Sequence, residues 1–170
     1  MSFSPVPDYS FDRLTDVSAE FLREKGISLL MLDLDNTIAA YGVREADEAT
    51  LDWVKRVKDS GVTLFIVSNT RKTARVSAYA GALGVDFIND ARKPSKRAIE
   101  KTMRALGRKP RECALCGDQA YTDVLGGNRA GITSIATRPI RLSNAFLAVR
   151  YAMELPFRAM CRNKMGIKLR

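Results

Sequence analysis

The sequence predicts an α/β fold, a doubly wound three-layer sandwich built on a five-stranded, mainly parallel sheet. Three observations carry this expectation. Five short apolar runs alternate with longer stretches rich in Ala, Leu, Glu, Lys and Arg, the pattern of strands joined through helices. Gly61, Gly84, Gly107 and Gly131 each stand just after a helical stretch, where a left-handed cap is wanted. The 170 residues, 46% hydrophobic and 28% charged, suit one domain that buries a core.

In chain order, residues 1–26 form a lead-in segment. The core spans 27–140, with strands expected at 27–33, 62–68, 85–89, 113–118 and 132–136. Helices are expected between them at 46–60, 73–82, 95–106 and 120–130, and Ser95 after Pro94 reads as an N-cap. Residues 141–170 form a basic, amphipathic C-terminal helix and tail. Parallel strands joined by right-handed crossovers bring their carboxyl ends to one edge, where ligands of such sheets bind.

The residues at those ends are chemically coherent. The first strand ends in Asp33-Leu34-Asp35-Asn36-Thr37 and the second in Ser68-Asn69-Thr70. The third leads to Lys93-Pro94, and the fourth ends in Gly117-Asp118-Gln119. Asp33 and Asp35 stand two apart on an extended segment and so share a face, while Asp118 arrives from another strand. Carboxylates gathered this way repel unless a hard cation sits among them, and Mg2+ is the natural one. With magnesium present a carboxylate can attack phosphorus. Ser68 can hold a phosphoryl oxygen, and Lys93 can offset charge that develops in the transition state.

Absences narrow the chemistry further. The chain contains no histidine, which excludes Ser-His-Asp and Cys-His nucleophiles, histidine zinc sites and histidine phosphocarriers. A net charge of +9 and a pI near 9.7 favour anionic partners: phosphate esters, nucleic acid or an acidic membrane surface. Cys113, Cys116 and Cys161 are odd in number and read as reduced thiols. Cys113 and Cys116 fall on one buried strand and face opposite sides, which makes them inert rather than a redox or zinc pair. The N-terminal stretch has neither a basic start nor an apolar core, and no apolar run reaches the roughly 18 residues of a membrane span. A cytoplasmic protein is expected.

The four strand-end motifs, together with Thr122-Asp123, resemble those of the haloacid dehalogenase (HAD) superfamily of phosphatases over residues 27–137, a Rossmann-like fold. The resemblance implies that Asp33 is the nucleophile that becomes an aspartyl phosphate. It makes Asp35 the acid that protonates the leaving alcohol and the base that later activates water. Ser68 would bind the phosphoryl group with Asn69 beside it, and Lys93 would orient Asp33 and the phosphate. Thr37 stands in the phosphatase form of the first motif. Arg71, Lys72 and Arg92 lie next to the second and third motifs and either bind a remote part of an anionic substrate or decorate the rim. Mg2+ would be held by Asp33, the backbone carbonyl of Asp35 and Asp118, with Asp123 as an auxiliary group. Residues 38–67 and 70–92 are consumed by core elements, so no cap domain is expected, only a flap at 39–47. The size, motif order and basic tail resemble the YqeG-like subgroup, related to phosphatidylglycerophosphate phosphatases.

Residues 141–170 carry Arg141, Arg150, Arg158, Arg162, Lys164, Lys168 and Arg170 against Glu154 alone. Leu142, Phe146, Val149, Met153, Phe157 and Met160 follow helical spacing on one face. That face either packs on the domain or meets anionic lipid as an interfacial helix on the inner side of the membrane; contact with RNA or a protein is the remaining reading. Two other functions compete with a phosphatase: a phospho-accepting signalling domain, and a basic RNA- or ribosome-binding factor with a secondary phosphatase site.

Overall fold

Strands of a parallel sheet must be apolar on both faces, because the helices that connect them cover both. In a computed structural model, which describes residues 3–43 and 45–161, six strands meet this demand to different degrees. They are β1 (Tyr9–Phe11), β2 (Leu29–Leu32), β3 (Thr63–Val67), β4 (Asp86–Ile88), β5 (Cys113–Gly117) and β6 (Thr133–Thr137). All pair in parallel, in the order β1-β6-β5-β2-β3-β4. Central β2 is Leu-Leu-Met-Leu and fully buried, whereas edge strand β4 begins on an exposed Asp86. The expected five strands become six because Tyr9-Ser10-Phe11, within the lead-in segment, pairs with β6.

The helices are α1 (Ala19–Glu24), α2 (Glu48–Asp59), α3 (Thr73–Leu83), α4 (Arg97–Ala105), α5 (Leu125–Ala130) and α6 (Ala145–Ala159). Their ends follow local chemistry. Ser18, Asp47 and Asn144 accept hydrogen bonds from the N–H groups of Phe21, Thr50 and Leu147 at 3.1, 2.8 and 2.9 Å, each satisfying a donor that the first turn leaves open. Gly84 and Gly131 end α3 and α5 at φ of 60° and 72°, a region costly for residues with a Cβ. Ser95 stands one residue ahead of the cap position, which Lys96 occupies. The helix expected over 120–130 opens as a π-helical turn, Ala120–Val124, before α5 begins.

Two apolar layers sandwich the sheet. On one side Leu30, Leu32, Leu64, Ile66 and Cys116 pack against α1, α2 and α3, with Trp53 and Tyr79 fully buried among them. On the other, Leu29, Met31, Val67, Leu115 and Cys113 pack against Ile99 and Met103 of α4. Cys113 and Cys116 therefore lie on opposite faces, and burial pushes both thiols up, Cys113 to about 11. The Trp53 indole N–H donates to Val17 O at 2.8 Å, so the largest core side chain leaves no polar atom unpaired.

β2 leads through α2 to β3 and β4 on one side, while β5 and β6 build out on the other. The order reverses beside β2, so the carboxyl ends of β2 and β5 form the edge where ligands of such sheets bind. Only residues 33–47 lie between β2 and α2, and α3 alone fills most of the interval between β3 and β4; no cap domain stands in either interval among the described residues. α6 lies against the π-helical turn that follows β5. Of the apolar stripe, for which packing on the domain and an outward face were both open, Phe146, Val149, Met153 and Met160 are exposed, Phe157 is half-buried with its ring on Tyr121, and Leu147, outside the stripe, is buried. Arg162, Lys164, Lys168 and Arg170 lie outside the described residues.

Candidate active site

Strand ends deliver the first group of residues. Asp33 directly follows β2 and Asp118 directly follows β5, and both are buried. Asp123 joins them from the π-helical turn. One carboxylate oxygen from each of the three lies within 4.8 Å of the others. The approach is close because Gly117 precedes Asp118: a Cβ there would meet the Asp123 carboxyl group at 2.3 Å. Asp123 Oδ2 is fixed by accepting the Gln119 N–H at 3.1 Å.

Lys93 enters from the loop after β4, its side chain buried. Its Nζ sits 2.7 Å from Asp33 Oδ1 and 2.7 Å from Asp123 Oδ1, and it donates to Val67 O at 2.6 Å. Burial alone would lower the lysine, but Asp123 and Asp33 outweigh it and hold the ammonium charged above its ordinary range. Asn69 clamps the same loop: its side chain accepts the Lys93 N–H at 2.7 Å and donates to Lys93 O at 3.0 Å. Ser68 is buried beside it, and its Oγ accepts the Thr70 N–H at 3.2 Å. Thr37 is buried, and its Oγ1 has no hydrogen-bond partner among the described residues.

The Asp35 side chain is held by Arg75 of α3, which donates to Asp35 Oδ1. Arg75 also donates to the carbonyls of Ala40 and Val43 at 3.2 and 3.3 Å, and the Tyr79 hydroxyl donates to Glu45 O at 2.9 Å. One face of α3 thus pins both the carboxylate and the expected flap. Tyr41 in that flap lies within the field of Asp118; burial, and then that charge, push its phenol up. Arg71 stands on the rim, its side chain 85% exposed and 3.7 Å from Asp90, which Arg92 also engages, at 3.1 Å. Lys72 is exposed at the start of α3.

Three contributors carry no sequence motif: Arg75, and Arg150 and Arg158 of α6. Arg158 is buried and donates to the carbonyls of Asp118 and Thr137, the latter at 2.8 Å, while pairing with buried Glu154 at 3.4 Å. Arg150 lies 3.7 Å from Asp118 Oδ2.

The donor set fits a hard cation. Asp33 Oδ2 and both carboxylate oxygens of Asp118 are buried without a hydrogen-bond partner among the described residues, a condition that costs several kcal/mol per ionised group unless a metal fills it. Without metal, burial and the neighbouring carboxylates raise Asp33 to about 7 and Asp118 to about 8, against the pull of Lys93 on the first and of Arg150 and Arg158 on the second. Both groups then hold protons that the unfolded chain has lost above pH ~4, so stability falls as pH rises from there through the folded-state values. Thermal melts in chelator are expected to drop in Tm between about pH 5 and 8, with Mg2+ restoring stability at the upper end. A chelated Tm that rises across that interval would contradict the buried cluster.

A family model described as haloacid dehalogenase-like hydrolase matches residues 8–131. The chain is 34% identical over 142 residues to the probable phosphatase YqeG of Bacillus subtilis, covering 84% of this chain and 82% of that one. It is 22% identical to the chloroplastic/mitochondrial phosphatidylglycerophosphate phosphatase 1 of Arabidopsis thaliana, over 88% of this chain but only 45% of that protein. Among solved structures, the cobalt-bound deoxy-D-mannose-octulosonate 8-phosphate phosphatase of Haemophilus influenzae shares the fold at a TM-score of 0.53 and 21% identity, over 71% of this chain and 73% of that one.

Proposed function

The chain belongs to the haloacid dehalogenase-like hydrolases and is a phosphatase of that family, and from this we propose a magnesium-dependent phosphomonoesterase that works through an aspartyl phosphate on Asp33. Its substrate is a head-group phosphate of an anionic phospholipid, of the kind named for the Arabidopsis relative, and it works in the cytoplasm at the inner face of the membrane. The observation that carries the chemistry is the buried trio of Asp33, Asp118 and Asp123, gathered beside Lys93 with Asp33 Oδ2 and both Asp118 oxygens open. The lack of a cap domain among the described residues supports a substrate too large for a capped site.

Asp33, Asp118 and Asp123, with the backbone carbonyl of Asp35, would hold Mg2+, which when bound draws off phosphoryl negative charge as a Lewis acid. A carboxylate oxygen of Asp33 attacks phosphorus; the P–O bond to the alcohol breaks as the new P–O bond forms. Asp35 gives its proton to the departing oxygen at Oδ2, since Arg75 occupies Oδ1. The same carboxylate then removes a proton from the water that attacks the aspartyl phosphate, releasing inorganic phosphate and restoring Asp33. Lys93 keeps Asp33 oriented through Oδ1. Ser68 and Asn69 lie where the phosphoryl oxygens arrive, and Arg71 on the rim meets more distant parts of an anionic substrate.

The test measures phosphate release from an aryl phosphate and from phosphatidylglycerophosphate in mixed micelles, with Mg2+ or with chelator. Turnover that requires Mg2+ is expected on both, with the higher kcat/KM on the lipid. Full activity in chelator would overturn the metal assignment. Preference for a small soluble ester would overturn the substrate class.

A further inference from the structure

Helix α6 is turned inside out relative to an ordinary surface helix. Its charged residues face the protein: Glu154 is 1% exposed, Arg158 is buried and Arg150 is mostly covered. Its exposed positions, 145, 146, 148, 149, 152, 153, 155, 156 and 159, hold only Ala, Phe, Val, Met, Leu and Pro. Phe146 is 74% exposed, and Val149 and Met153 are 60% exposed each. The helix cannot roll to bury this face, because Arg158 is locked onto the carbonyls of Asp118 and Thr137 and donates to buried Glu154. A continuous apolar strip of this kind marks a binding surface.

The charge around the strip identifies its occupant. Arg138 and Arg141 are exposed just ahead of the helix, and the sequence beyond residue 161 adds Arg162, Lys164, Lys168 and Arg170 with no acid. An apolar strip in a sequence segment rich in cations matches the boundary between acyl chains and anionic head groups. RNA would require cations on the strip itself, where there are none. The 15-residue helix spans about 22 Å, and no helix among the described residues is long and apolar enough to cross a membrane. The flap held by Arg75 exposes Tyr41 and Val43, and Tyr41 lies within the field of Asp118 and of Arg150 on α6.

We propose that the outer face of α6 docks on an anionic bilayer, with Phe146, Val149 and Met153 entering the acyl boundary and the flanking basic residues meeting the head groups. The inner face of the same helix holds Asp118, so docking brings the helix that braces the carboxylate cluster to the lipid surface. This deepens the lipid-phosphate reading, yet binding is measured without turnover, so either can fail alone.

The experiment sediments the full chain with vesicles of phosphatidylcholine alone or mixed with phosphatidylglycerol. The comparison is with Phe146→Gln/Met153→Gln, which keeps net charge and helix propensity. Binding to the mixed vesicles, weakened by salt and at least about tenfold weaker for the variant, is expected, with aryl-phosphate turnover unchanged. Equal sedimentation of both proteins, or none of either, would overturn the proposal. So would a lipid-free dimer in analytical ultracentrifugation that the variant abolishes, which would give the face to a second copy. Tighter binding to single-stranded RNA than to the vesicles, equal for both proteins, would also overturn it.

Discussion

Asp33→Asn will abolish phosphatase activity while leaving the fold intact. The amide is isosteric, and its oxygen can still accept from Lys93 Nζ, which sits 2.7 Å from Asp33 Oδ1. It cannot attack phosphorus, so kcat should fall on the order of 10³-fold or more. Stability should not fall with it. The substitution removes one of three carboxylates whose mutual repulsion contributes to raising Asp33 and Asp118 in the metal-free protein. Steady-state phosphate release and a thermal melt in chelator check both halves. Residual activity above a tenth of native would remove Asp33 from the nucleophile's role.

Lys93→Met is expected to carry the largest cost in stability. The ammonium serves two buried carboxylates and a backbone carbonyl at once, and removing one partner of a buried ionic cluster costs about 3–5 kcal/mol. For a domain of this size that lowers Tm by roughly 10 °C. The deficit should shrink toward pH 5, because losing the ammonium raises Asp33 further and protonation then neutralises the orphaned charge. Adding Asp33→Asn to the variant should recover part of the loss, a coupling expected of groups in contact. A Tm within about 2 °C of native at pH 8 would show that Lys93 does not hold the cluster together.

The parts of this site that sequence reveals are those carried by strand ends. Asp33, Ser68, Lys93 and Asp118 each follow an apolar run, and parallel topology alone brings them to one edge. Asp123 appears among them as a full member of the carboxylate trio, because a π-helical turn swings it over Gly117; nothing in the residue pattern marks that turn. Arg75 stays hidden for a related reason. It sits in the second position after the start of α3 with no motif around it, and only tertiary packing sets it on Asp35, forty residues away. β1 is three residues long, too short for any periodicity, and its partner lies at the far end of the core.

α6 shows a different limit. Helical spacing reports which residues share a face, and Phe146, Val149 and Met153 do share one, but periodicity is silent about which face meets the protein. The usual rule assigns the apolar face inward. Here three charged side chains find better partners inside, in the carbonyls of Asp118 and Thr137 and in one another.

The strand order also sets a schedule for the growing chain. Asp8 and Ser134, which hydrogen-bond to each other where β1 meets β6, are 126 residues apart, and β2 gains its second neighbour only when β5 is made. During synthesis β2 therefore spends a long interval as an open edge, Leu-Leu-Met-Leu with unpaired backbone, the kind of segment that recruits stray strands. Asp33 is translated early and waits for Asp118, so the acidic cluster and the last shielding strands arrive together. The chain becomes safe from aggregation and competent for chemistry at nearly the same moment of its birth.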